Sequence, residues 1–179
     1  IKLTSYISKY TFILMCFVAF PVLLEMDFLL SIWLKEVPEG SATFCRLMIL
    51  CALLGCLGEG IPALVNATGN IKNYQIIIHS FTLLGLPISF VCYKLGATPF
   101  AILKVFCCIS FLLAFIRLYL LKRIFDFDVR QFIEISFIKI GLISIPLLIF
   151  YILYNPASFP IWGHILGIIL SEIFLIAVI

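Results

Sequence analysis

Glu25, Asp27, Arg46, Glu59, His79, Lys104 and Arg117 stand inside long apolar runs, where ionisable groups are costly. A charge at mid-bilayer costs roughly 2.5 to 3.5 kcal/mol on insertion scales, so such groups normally face a bundle interior or an aqueous cavity. Carboxylates in that setting can bind or release ions, and guanidinium or ammonium groups can offset the charge of an anionic ligand. Glu25, Asp27 and Glu59 are therefore candidates for ion coupling, and Arg46, Lys104 and Arg117 for contact with an anion. Each has a structural alternative. The long stems of the two arginines and of Lys104 allow them to snorkel to the nearer interface, and Glu25 and Asp27 would also suit a frayed helix end at the headgroups.

The elements that carry these residues follow from composition. The chain is 64% hydrophobic and 12% charged, with a mean hydropathy of +1.26, whereas soluble domains carry about 25% charge. A spanning helix needs about 20 mostly apolar residues. Six such spans are predicted: Ser8 to Leu34, Ser41 to Val65, Tyr74 to Tyr93, Pro99 to Leu121, Phe137 to Tyr154, and Ile161 onward. All should be helices, because lipid leaves isolated strands with unsatisfied backbone groups and no alternating polarity marks a barrel.

Polar turns separate the spans. Pro38 and Gly40 break the chain after the first, and Gly69 suits a left-handed helix stop after the second. Pro99 is placed to open the fourth, and Asn155 to Pro160 divides the last apolar stretch. The antiparallel hairpins made by successive spans are the expected units. Lys2, Lys9, Lys72, Lys122, Arg123 and Arg130 fall on one side, with only Lys35 and Lys94 opposite, which places the first side in the cytoplasm.

Rise per residue then sorts the buried charges into two layers. Glu25, Asp27, Arg46 and Lys104 fall in the outward half, and Glu59, His79 and Arg117 in the inward half. On a regular helix Glu25 and Asp27 lie about 200° apart. A kink at Pro21 would redirect one of them, with Glu25 expected to turn into the cavity and Asp27 toward the outer surface. Glu59 sits among Gly55, Gly58, Gly60 and Pro62, which weaken a helix and allow close packing.

Several function classes lack their signatures. The seven cysteines lie in apolar runs without a C-x-x-C pair and read as small hydrophobes. No phosphate-cradling loop, zinc-protease motif or nucleophile elbow occurs. The basic residues do not cluster as a nucleic-acid footprint would. Neither an enzyme, nor a cofactor, nor a metal site is expected. Asn66-Ala67-Thr68 matches a glycosylation sequon but falls on the cytoplasmic side. Ile1 stands where an initiator Met would and the last apolar run stops abruptly at Ile179, so the expectation is an excerpt of a longer protein.

The segments Phe20-Pro21-Val22-Leu23-Leu24-Glu25-Met26-Asp27, Ser31-Ile32-Trp33-Leu34, Val37-Pro38-Glu39 and Phe44-Cys45-Arg46-Leu47 come first in an ordered series. Ala67-Thr68-Gly69-Asn70-Ile71-Lys72-Asn73-Tyr74-Gln75, Leu86-Pro87-Ile88-Ser89-Phe90 and Lys94-Leu95-Gly96-Ala97-Thr98-Pro99 complete it. In order and spacing these resemble the polysaccharide (O-antigen, Wzx-type) flippases of the multidrug/oligosaccharidyl-lipid/polysaccharide (MOP) exporter superfamily. The resemblance covers residues 20 to 125.

It implies an all-α, polytopic transmembrane bundle of about six helices, part of a MATE-like two-bundle transporter. Residues 1–121 would be the last four helices of the second bundle, 122–136 a cytoplasmic connection, and 137–179 two additional helices. The implied partners are membrane lipid, a lipid-linked oligosaccharide and the absent amino-terminal half of the same polypeptide. The implied role is to flip an undecaprenyl-diphosphate-linked oligosaccharide across the bacterial cytoplasmic membrane, with Arg46, Lys104 and Arg117 on the substrate path and Glu25, Glu59 or Asp27 coupling an ion. A multidrug or peptidoglycan-precursor exporter of the same superfamily would share the fold. An integral-membrane glycan polymerase would need a larger outward loop than this chain offers.

Overall fold

Glycine and proline decide where the long apolar runs become helices and where they break. The computed structural model describes residues 2–69, 71–125, 132–153 and 161–178, and every regular element among them is helical. Helix α1 spans Lys2–Leu24 and α2 spans Met26–Trp33. Between them Glu25 leaves helical geometry at φ −102°, ψ 25°, four residues after Pro21. The first apolar run is therefore two helices, not one span from Ser8 to Leu34.

Helix α3, Ser41–Gly55, and α4, Gly60–Thr68, meet at a 43° bend. Gly58 sits in that bend at φ +83°, a conformation that favours glycine. Pro62 is the third residue of α4, where its missing N–H has no intrahelical partner to lose. Gly69 ends α4 in the left-handed region at φ +76°, the stop its sequence predicts.

Helices α5, Ile71–Leu83, and α6, Gly85–Lys94, are separated only at Leu84 and together form one apolar length. Helix α7 runs without interruption over Ala101–Phe125. A π-helical turn, Ile133–Phe137, leads into α8, Ile138–Leu153, and α9 covers Ile161–Val178.

Three lengths, Leu3–Leu24, Ile71–Lys94 and Ala101–Arg123, are long and apolar enough to cross a membrane, and the bent α3–α4 pair makes a fourth. Only 17 to 39% of the three unbroken lengths is buried against the rest of the protein. Large side chains such as Leu14, Leu142 and Ile152 point outward. Such an exposed apolar surface is compatible with lipid and not with water, and the described residues form an all-helical structure that fits a membrane protein. The expected count of six spans is larger than the candidates found, because Ile138–Leu153 and Trp162–Ala177 are apolar but shorter.

Two long helices organise the packing. Helix α7 carries α3, α5 and α6, while α1 carries α3, α4, α8, α9 and the π turn. Phe12, Cys16, Phe20 and Leu24 of α1 pack with Ile143 and Leu147 of α8 and Leu175 of α9. Ile61, Val65, Tyr74, Ile78 and Leu113 join α4, α5 and α7 in a second core. Helices α8 and α9 each lie along α1, and they meet each other through the Phe150–Phe174 stack at 4.8 Å. Hydropathy cannot reveal this, because both helices are apolar around most of their circumference.

Helices α1 and α4 come closest at small residues. The Gly60 N–H donates to Ser8 Oγ at 2.9 Å, which occupies an otherwise unpartnered donor at the start of α4. Beyond α7, Phe132 is fully buried and Ser136 Oγ donates to the Ser5 carbonyl at 2.8 Å. The end of the 122–136 connection is thus tied to α1. Its middle, with Asp126, Asp128 and Arg130, and the predicted Asn155–Pro160 break lie outside the described residues.

Candidate functional site

At the end of α1 the Glu25 N–H still donates to the Pro21 carbonyl at 3.0 Å, and the two neighbouring acids, two residues apart, face different ways. Glu25 is 1% exposed, and its Oε2 lies 2.6 Å from Nδ1 of His164 on α9. Phe28 stacks on the His164 ring at a centroid separation of 4.4 Å and an interplanar angle of 11°. The imidazole is held by a carboxylate at its edge and an aromatic face against its plane. A helix turn separates Glu25 from Phe28 and brings both to one side, at the i, i+3 spacing.

Asp27 points the other way, with 67% of its side chain exposed, and binds Arg46 Nη2 at 2.7 Å. Arg46 Nε also donates to the Leu23 carbonyl at 3.2 Å. One guanidinium on α3 therefore spans the α1–α2 break, satisfying a terminal carbonyl on one side and neutralising an acid on the other.

The α3–α4 bend holds a looser pair. Glu59, in the bend between α3 and α4, lies 3.5 Å from Arg117 Nη1 of α7, which also reaches the Gly55 carbonyl at 3.4 Å. Glu59 is about half exposed, so the pair is a weak electrostatic tie by itself. Arg117 Nε and the Tyr74 hydroxyl are buried without a hydrogen-bond partner among the described residues.

The sequence-predicted residues thus divide. Asp27 comes together with Arg46, and Glu59 with Arg117. Lys104 and His79 are exposed and join neither pair. Glu25 is brought to His164, which the sequence reading did not single out. Its signal is an imidazole in the apolar stretch from Ile140 to Ser171, which contains no formal charge. Glu172 was likewise passed over, and one of its carboxylate oxygens is buried without a partner among the described residues.

The cysteines have a structural use beyond filling space. Cys51 Sγ donates to the Leu103 carbonyl and Cys107 Sγ to the Leu47 carbonyl, tying α3 to α7 in both directions. Among the described residues no three His, Cys, Asp or Glu side chains assemble as a metal cage.

The arrangement can hold opposite charges together in an apolar bundle, and it can carry a proton between a carboxylate and an imidazole. Comparison with protein-family models, curated proteins and solved structures finds no match.

Proposed function

We propose that the chain is the carboxy-terminal part of a membrane transporter that flips an undecaprenyl-diphosphate-linked oligosaccharide across the bacterial cytoplasmic membrane. The reading takes its substrate from the resemblance over residues 20 to 125. In this view α1 to α7 belong to one bundle of a two-bundle, MATE-like exporter, α8 and α9 are its additional pair, and the remaining helices lie in an amino-terminal half. Transport follows from alternating access, in which one bundle rocks against the other.

One observation supports the reading best. Acid–base pairs join different helices at two depths: Glu25–His164 and Asp27–Arg46 near one end, Glu59–Arg117 toward the other. Ionisable groups inside spanning segments mark ion or substrate paths by default, and pairs that join separate helices can exchange partners when bundles move. Arg46 and Arg117 are assigned to the diphosphate, with Lys104 accessible to the same anion. Glu25, Asp27 and Glu59 are assigned to ion coupling.

The mutual pairing of these charges favours a second reading, in which they only hold helices in register. Arg46→Ala in the full-length protein, expressed in cells whose own flippase is deleted, separates the two. The transport reading expects glycan export to stop while membrane insertion persists. The pairing reading expects the exchanged pair Asp27→Arg with Arg46→Asp to restore export. Normal export by well-expressed Arg46→Ala removes that residue from the mechanism.

A further inference from the structure

We infer that Lys72, Gln75, His79 and Thr82, on one edge of α5, line a water-filled path that reaches from one membrane face to the middle of the bilayer and takes the hydroxyl-rich part of a solute. The glycan as that solute rests on the transporter reading, and the water-filled edge stands apart from it.

The four residues recur at i, i+3, i+7 and i+10, which places them within an arc of about 80° on a regular helix. The face beside them is occupied, since Tyr74 and Ile78 are buried against α4 and α7. Lys72 and His79 are exposed, and Gln75 and Thr82 are partly buried at the border with that core. The whole length Ile71–Lys94 is the least enclosed of the three unbroken candidates, with 17% of it buried. Ten residues lead from Lys72 to Thr82, about 15 Å of rise. That is half the roughly 30 Å thickness of the hydrocarbon layer.

The polar character stops at that depth. Backbone bonds from the Leu84 N–H to the Ser80 carbonyl and from the Ile88 N–H to the Leu84 carbonyl carry the helix across the α5–α6 junction, so the same edge continues in register. Its next residues are Leu86 and Phe90, both exposed and both apolar. One edge is therefore polar over one half of the membrane and apolar over the other.

Among the described residues the side chains of Lys72, Gln75 and His79 make no hydrogen bond or ion pair. Thr82 Oγ1 donates to the Ile78 carbonyl at 3.0 Å and keeps its acceptor sites. An amide or imidazole turned to hydrocarbon forgoes the hydrogen bonds that water supplies, so such groups inside a span face a bundle interior or an aqueous cavity. Gln75 offers two donors and an acceptor oxygen, and a neutral imidazole offers one of each. Groups of this kind match sugar hydroxyls, which both donate and accept, whereas a diphosphate calls for guanidinium groups such as Arg46 and Arg117.

The test uses the full-length protein with its native cysteines replaced, in permeabilised membrane vesicles that admit reagent to both faces. Single cysteines replace Gln75, His79 and Thr82 on the edge, and Phe81 and Leu84 as controls, which lie two residues beyond His79 and Thr82 and about 200° round the helix from them. A charged, water-soluble methanethiosulfonate should modify the edge positions at least about tenfold faster, because the reacting thiolate is suppressed in apolar surroundings. Edge rates no faster than those at Phe81 and Leu84 would overturn the path. Gln75→Leu combined with His79→Leu removes the hydrogen-bonding groups and should lower glycan export with membrane insertion retained, and normal export by that variant would overturn the assignment to the glycan. Fast labelling of the edge in a protein that moves no glycan would uphold the path and count against the transporter reading alone.

Discussion

Gly60→Ala tests whether the α1–α4 contact is as close as the backbone places it. A Cβ built on Gly60 would stand 2.3 Å from the Thr4 carbonyl oxygen and 2.8 Å from Ser8 Oγ, where ordinary contact begins at 3.4 Å. Ser8 can rotate away, but the Thr4 carbonyl belongs to the backbone of α1 and cannot. Helix α4 must therefore retreat by about 1 Å, loosening the packing of the fully buried Ile61 and Val65 that follow.

Overpacking of this kind costs about 1 to 3 kcal/mol. The stretched Gly60 N–H to Ser8 bond adds about 1 kcal/mol, and the better helix propensity of alanine returns up to about 1 kcal/mol. The net expectation is a loss of about 1 to 3 kcal/mol, measured by reversible denaturant titration in mixed micelles. Ser8→Ala alone should cost about 1 kcal/mol, the worth of the hydrogen bond. Adding Ser8→Ala to Gly60→Ala should not rescue it, because the nearer obstacle is main chain. A Gly60→Ala protein within about 0.5 kcal/mol of the parent, the range of an unstrained surface change, would refute the close approach.

The Tyr74 hydroxyl is buried without a partner among the described residues, so Tyr74→Phe should leave stability unchanged or raise it by about 1 kcal/mol in the same titration. A loss larger than that would reveal a bound water or another acceptor. The basic-residue bias predicts that a single cysteine at Glu39 reacts with an impermeant maleimide from outside the cell, and that one at Lys72 reacts only after the membrane is opened. The reverse pattern would invert the orientation and with it the two charge layers.

What was legible beforehand rests on local properties. The all-helical, membrane-embedded character follows from apolar length and scarce charge. The stop at Gly69 follows from a residue that tolerates positive φ, and depth along each helix follows from a fixed rise per residue. For the same reason Asp27 and Arg46 were expected in one layer and Glu59 and Arg117 in another. Their partnering was not, because it depends on how each helix is rotated about its own axis.

The tertiary structure alone decided the rest. It fixed the interruption at Glu25 itself, where the sequence offered only a kink near Pro21 that would send Glu25 inward and Asp27 outward. The docking of α9 along α1 brought His164 to Glu25 across most of the chain. Hydropathy is a property of single segments and fixes which of them enter lipid. In uniformly apolar helices it carries no preferred face, so which neighbours they choose is set by side-chain fit and by the few polar groups that must find one another.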